Sequence, residues 1–196
     1  MTWNDITVQQ FQAILKLRDS DMEEWDKVTE VIAILYNDTP TNIDNLTIAE
    51  YNARAEKVGK FLYTTPEGKA PKYIKANGNK YAPMYSFDKF TQRQFSEVVY
   101  YNQNMLANIH LILASIVQPV KFGFKRKNKA DDHALYADDL LHAPMGEVYG
   151  ACVFFCKVYS SFLRATGDFL KAEELLAALT LKNLADSMDG FTTQKR

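Results

Sequence analysis

The stretch Lys72-Tyr73-Ile74-Lys75-Ala76-Asn77-Gly78-Asn79-Lys80-Tyr81-Ala82 lies near the middle of a chain whose other segments read almost entirely as helix. A two-residue type I′ turn requires positive φ at both central positions. Glycine adopts this freely, asparagine tolerates it, and the twist of such a turn matches the strands on either side. With Asn77-Gly78 at the tip, Ala76 is expected opposite Asn79, Lys75 opposite Lys80, Ile74 opposite Tyr81 and Tyr73 opposite Ala82. Two facing lysines repel, so that face is expected to be wet. An isolated two-stranded hairpin is marginal in water and must lean on helices or pair with strands of another chain, and Pro83 removes a ladder donor from the second strand. The expectation is an exposed ribbon between two helical regions, with Tyr73, Ile74, Asn77, Gly78 and Tyr81 as contacts for a partner.

Around that ribbon one local design recurs: Thr7-Val8-Gln9-Gln10-Phe11, Thr47-Ile48-Ala49-Glu50-Tyr51 and Thr91-Gln92-Arg93-Gln94-Phe95. In each, the threonine hydroxyl can accept from the amide three residues on while Gln or Glu reaches back, the capping box that opens a helix. Ser20-Asp21-Met22-Glu23 has the same cap without the aromatic ring. Helices are predicted over about residues 8–17, 21–36 (ended by Asn37 in the left-handed conformation), 47–62, 91–117, 132–141, 145–165 and 168–188, with a short helical turn after Pro40. Thr64-Thr65-Pro66-Glu67-Gly68-Lys69-Ala70-Pro71 breaks the chain, because two prolines and a glycine stop a helix. The fold class is therefore mainly α, a helical bundle with one small β-hairpin at about residues 72–85. The predicted organisation is an N-terminal helical subdomain (1–63), a linker and hairpin (64–90), a C-terminal helical subdomain (91–188) and a tail (189–196).

Composition narrows the function classes. In 196 residues, 47% are hydrophobic and 24% charged, so the chain is globular. The formal net charge of −1 argues against nucleic-acid binding by the whole domain, which needs a positive excess to displace phosphate counterions. Cys152 and Cys156 share one apolar helical run, no signal peptide is expected because Trp3, Asn4 and Asp5 interrupt any apolar start, and no apolar run approaches the roughly 20 residues that span a bilayer. A soluble protein in a reducing compartment follows. Eleven Tyr and twelve Phe point to rings at an interface; Tyr100 and Tyr101, adjacent on one helix, cannot both face inward and join the expected contacts.

Signals of chemistry are sparse. There is no phosphate loop, dinucleotide fingerprint, nucleophile elbow or metalloprotease motif. His110, His133 and His142 fall in different elements without a partnered nucleophile, so no catalytic residue is assigned and the chain is read as a non-enzyme. Cys152 and Cys156, four apart on a helix, supply two of the four ligands a structural zinc needs, so they are read as buried small hydrophobes and no metal or cofactor is assigned. Asp131, Asp132, Asp138 and Asp139 lack the spacing of a calcium loop and are read as a solvated helix face. Lys121, Phe122, Phe124, Lys125, Arg126, Lys127 and Lys129 form a basic loop with two phenylalanines. It is read as a solvated loop that neutralises Asp131 and Asp132, with contact to nucleic acid or to an acidic partner as the alternative.

Four segments taken together, Ile6 to Gln12, Ile43 to Tyr51, Tyr73 to Tyr81 and Lys89 to Phe95, with the later run Val148-Tyr149-Gly150-Ala151-Cys152-Val153-Phe154-Phe155, resemble small morphogenesis proteins of tailed phages that infect Bacteroidetes. The resemblance covers roughly residues 5 to 165. It implies a non-enzymatic protein that acts through protein contacts, as a tail assembly chaperone or as a structural tail or neck subunit. Its expected partners are other phage virion or tail proteins, with a homo-oligomeric ring as one arrangement, no membrane, and the host bacterial cytoplasm or the virion as its place. The alternative from another class is a nucleic-acid-contacting protein that uses the basic loop 121–129.

Overall fold

All three threonine capping boxes form. Thr7 opens α1 (Val8–Arg18), Thr47 opens α4 (Ile48–Leu62) and Thr91 opens α5 (Gln92–Tyr101), each with both reciprocal bonds in place. They come from a computed structural model that describes residues 1–64, 66 and 69–155. The two boxes closed by glutamine reach further than capping requires. Gln10 sends its amide N–H groups to the Ile34 carbonyl (2.7 Å) and the Asn37 side chain (2.9 Å), and Gln94 sends one to the Ser115 carbonyl (2.7 Å). Each glutamine thus ties a helix start to another helix. Glu50, which has no donor, stays at the surface.

Between these helices lie α2 (Glu24–Tyr36) and α3 (Pro40–Asp44). Asn37 ends α2 at φ 53°, in the left-handed region as expected. The expected serine cap of α2 does not form. Ser20 Oγ donates back to the Leu17 carbonyl at 2.7 Å and closes α1 instead, and α2 starts three residues late behind Glu23, which makes no side-chain cap.

The single hairpin becomes half of a sheet. β1 (Ile74–Ala76), β2 (Asn79–Pro83), β3 (Val117–Lys121) and β4 (Phe124–Lys125) form one four-stranded antiparallel sheet in the order β1-β2-β3-β4. The register Ile74↔Tyr81, Lys75↔Lys80 and Ala76↔Asn79 is as predicted, on an Asn77-Gly78 turn with φ of 48° and 76°. Ala82 pairs with Gln118 across β2 and β3. The facing lysines are relieved by a ring: Lys80 Nζ sits 3.8 Å from the centroid of Tyr73.

The long helix expected over 91–117 is interrupted. After α5 the chain passes through a 3-10 turn (Asn102–Asn104) before α6 (Ile109–Ile116). Asn102, Asn104 and Asn108 explain the break, since short amides compete for backbone groups; Asn108 Nδ2 donates to the Tyr101 carbonyl at 3.0 Å. Beyond α6, Pro119 forces its predecessor toward extended backbone and β-branched Val117 and Val120 favour a strand. The chain therefore turns into β3 rather than a loop.

α7 (His133–Leu141) and α8 (residues 145–155) complete eight α-helices among the described residues. Residues 1–155 form one compact unit. The N-terminal stretch is stitched to the start of α8: Val8 N–H donates to Ala143 O (3.1 Å), Met145 N–H to Ile6 O (2.8 Å) and Gly146 N–H to Trp3 O (2.8 Å). A Cβ at Gly150 would fall on the Lys69 carbonyl oxygen, so this glycine admits the 69–71 segment against α8. Ile109, Leu113 and Ile116 of α6, Leu140 of α7, Val148 of α8 and Ile74 of β1 are wholly buried together with Ile6, Val8 and Ile43. Each such side chain stabilises the fold by about 1.5–3 kcal/mol relative to exposure. The predicted continuation of α8 to residue 165, the last helix over 168–188 and the tail lie outside the described residues. Among those described, no helix is long and apolar enough to cross a membrane.

Candidate partner-binding surface

The first hairpin is turned inward by one carboxylate. Asp139 of α7, buried at 2% exposure, accepts from Asn77 Nδ2 and Asn79 Nδ2, each at 2.8 Å, and from the Tyr81 hydroxyl. The turn supplies both asparagines and β2 supplies the tyrosine, so three donors converge on one face of α7. Tyr81 packs edge-on against Tyr136 at 5.6 Å, and Tyr136 in turn donates to Asp132 at 3.0 Å. Burial first, and then the bond to Asp139, hold the Tyr81 hydroxyl far above the usual tyrosine range; burial also pushes Tyr136 up to about 12.

This corrects two expectations. Ile74 and Tyr81, expected on an exposed ribbon, are buried in the core, while Asn77 is exposed and its amide donates within the chain. Gly78 stays exposed at the tip and Tyr73 is half-buried under Lys80. The acidic run is likewise not one solvated face: Asp131 and Asp138 face water, Asp132 holds Tyr136, and Asp139 is the buried latch. The signal that could have singled out Asp139 is its place in the chain, beside Leu140 on the apolar side of α7 one turn after Tyr136.

Tyr100 and Tyr101 divide as their adjacency requires. Tyr100 is 67% exposed, while Tyr101 turns in and stacks on the His133 ring at 5.7 Å and 16°. His110 Nδ1 faces Gln12 Nε2 at 2.9 Å, His133 Nε2 lies 3.1 Å from Ser115 Oγ, and His142 is exposed just past the end of α7. Burial, aided by His133 and Lys16, holds His110 below its ordinary value and so neutral. Cys152 is buried and Cys156 lies outside the described residues. No group of three or more acidic, His or Cys side chains among the described residues is placed to hold a metal ion.

The exposed ribbon is the second hairpin, where a loop was expected. Its tip is Phe122-Gly123, at φ of 53° and 79°. Phe122 is 92% exposed and Phe124 71% exposed. A bulky residue at positive φ is a steric outlier worth about 1–2 kcal/mol, and leaving its ring in water adds to that. Phe122 thus combines a strained backbone with a ring left almost wholly in water. The base of the hairpin is rigid: Asn128 Nδ2 donates to Ala114 O and Val117 O, each at 2.7 Å, and Asn128 Oδ1 accepts from Arg93 Nη2 at 2.9 Å.

Beside the tip, between the sheet and α7, a groove of about 430 Å³ is rimmed by Lys80, Lys121, Arg126, Lys127 and Lys129, with Leu135 58% exposed at its edge. Asp132 is its one carboxylate. The basic residues singled out in the sequence thus gather on one side of the ribbon that carries the two phenylalanines, with Lys125 exposed on β4. Comparison with protein-family models, curated proteins and solved structures found no match.

Proposed function

We propose that the protein is a non-enzymatic phage morphogenesis protein that works through protein–protein contacts, as a tail assembly chaperone or as a structural tail or neck subunit. The observation that carries the contact reading is Phe122, a large apolar side chain held in a strained backbone conformation at the tip of a clamped hairpin, almost wholly in water. Burial of such an anchor in a partner's pocket recovers the hydrophobic free energy that the free chain forgoes. The assignment to phage assembly rests on the sequence resemblance, and the partners it implies are virion or tail proteins.

The test is co-purification from infected cells with tagged wild type and with Phe122→Ser/Phe124→Ser. Virion or tail proteins retained by wild type and lost with the double substitution support the reading. Equal retention by both proteins, or retention of no virion protein by either, would sink it. Whether the protein travels with purified particles then separates a subunit from a chaperone.

A further inference from the structure

The groove beside the second hairpin has a chemical counterpart on the same chain. Five cationic side chains and one carboxylate give it four net positive charges, on a protein whose formal net charge is −1. None of the five cations has an ion pair among the described residues. The compensating negative charge is concentrated elsewhere. Residues 21–26, Asp21-Met22-Glu23-Glu24-Trp25-Asp26, are all exposed, extended through Glu23 and helical after it. Trp25 is 69% exposed although it stacks on Tyr51 at 5.4 Å, and Met22 is exposed too. Glu24 holds Lys27 at 3.3 Å; Asp21, Glu23 and Asp26 have no ion pair among the described residues. The chain thus presents a basic groove with an apolar edge and an acidic segment with two exposed apolar side chains.

We propose that residues 21–26 of one copy dock in the groove between the sheet and α7 of a second copy of this chain, which gives a head-to-tail assembly. The two surfaces differ, so the contact is heterologous: every copy offers one groove and one segment, and repetition builds a ring or a filament. Charge complementarity steers the encounter, while Met22 and Trp25 against Leu135 and Phe124 supply the apolar contact. A nucleic acid fits the groove less well. Of its own lining, Tyr81 and Tyr136 are buried edge-on against each other and offer no face on which a base stacks, which leaves base stacking to Phe122 and Phe124 outside the lining. The inference rests on the reading of the protein as an assembly component and names the surfaces that join its copies.

The experiment is native mass by light scattering on a sizing column. It uses wild type, a groove variant (Lys121→Glu/Arg126→Glu/Lys127→Glu) and a segment variant (Asp21→Lys/Glu23→Lys/Asp26→Lys). All six side chains are exposed, and thermal melts check that both variants fold; if either does not, Lys127→Glu and Glu23→Lys replace the triples. Wild type is expected to form an oligomer whose apparent dissociation constant rises about tenfold or more between about 50 and 500 mM salt. Each variant alone is expected to be monomeric. An equimolar mixture should recover the wild-type mass, because the acidic groove of one variant meets the basic segment of the other and the reverse.

A wild-type monomer at low salt, an oligomer indifferent to salt and to both variants, or a mixture that stays monomeric would each overturn the proposal. So would tight binding of a fluorescein-labelled oligo-dT that competes with nothing on residues 21–26 and is lost in the groove variant, since it would give the groove to nucleic acid. A wild-type monomer that still retains a virion protein through Phe122 removes the head-to-tail contact alone. Loss of both results removes the assembly reading with it.

Discussion

The side-chain amide of Asn77 donates to the carboxylate of Asp139 across 62 positions of sequence, at 2.8 Å. The same carboxylate receives Asn79 and Tyr81, so the tip and second strand of the first hairpin hang on one buried charge of α7. Asp139→Ala leaves the buried Tyr81 hydroxyl without its acceptor, and the amides of exposed Asn77 and Asn79 free to turn to water. A loss of about 1–3 kcal/mol is expected, the cost of leaving a buried hydroxyl unsatisfied. Tyr81→Phe removes one bond and should cost about 1–2 kcal/mol. Urea unfolding followed by far-UV circular dichroism measures both; an Asp139→Ala variant as stable as wild type would mean that the hairpin is held by its apolar contacts alone.

The capping boxes differ in what they can tolerate. Gln94→Glu keeps the reach-back to Thr91 but sets a carboxylate against the Ser115 carbonyl, to which Gln94 donates at 2.7 Å from a site only 3% exposed. The expected cost is about 2–3 kcal/mol, the penalty for an unsatisfied buried acceptor beside a charge. Glu50→Gln, at an exposed box, should leave the denaturation midpoint close to that of wild type. Equal denaturation midpoints for the two variants would contradict this division.

At Phe122 stability and contact should move in opposite directions. Phe122→Asn places a residue that tolerates positive φ where phenylalanine is strained, and a gain of about 1 kcal/mol is expected. The same variant should retain less of the virion proteins than wild type. A thermal melt and a pull-down on one preparation read both; a destabilised Asn variant would show that the Phe122 ring packs within the chain.

Acid should weaken the fold through His110. Its folded-state value is depressed from 6.5, chiefly by burial, so below about pH 6.5 the unfolded chain takes up a proton that the folded chain refuses. Stability is therefore unaffected by this group at pH 7 and above. It falls as pH drops from about 6.5 toward the depressed folded value, then levels off. His110→Gln, which keeps an acceptor for Gln12, should flatten that portion of the curve. Identical slopes for the two proteins below about pH 6.5 would remove His110 from the acid response.

What was legible in the sequence is what short-range chemistry decides. Asn77-Gly78 demands one turn, and that turn dictates the register of the first three pairs; Thr7, Thr47 and Thr91 each find their partner three residues on. The misses arise where a distant group overrides the local one. Asn79 and Asn77 look fully used by the turn, and Asp139 looks wet beside Asp138, until packing brings them together. The second hairpin escaped because phenylalanine is a poor resident of positive φ, so Phe122-Gly123 carries no turn signature. Its strand was hidden by an apolar run, Ile109 to Val117, whose helical period continues up to the residue where Pro119 ends it.

The stitching of Trp3, Ile6 and Val8 to residues 143–146 has a consequence for biosynthesis. At about 5–20 residues per second, the ribosome needs roughly 7–30 s to deliver the later strand of this seam after the earlier one has left the tunnel. Throughout that interval the Val8 N–H and the carbonyls of Trp3 and Ile6 lack these partners, so the earliest-made piece of this unit is among the last to be fastened along this seam.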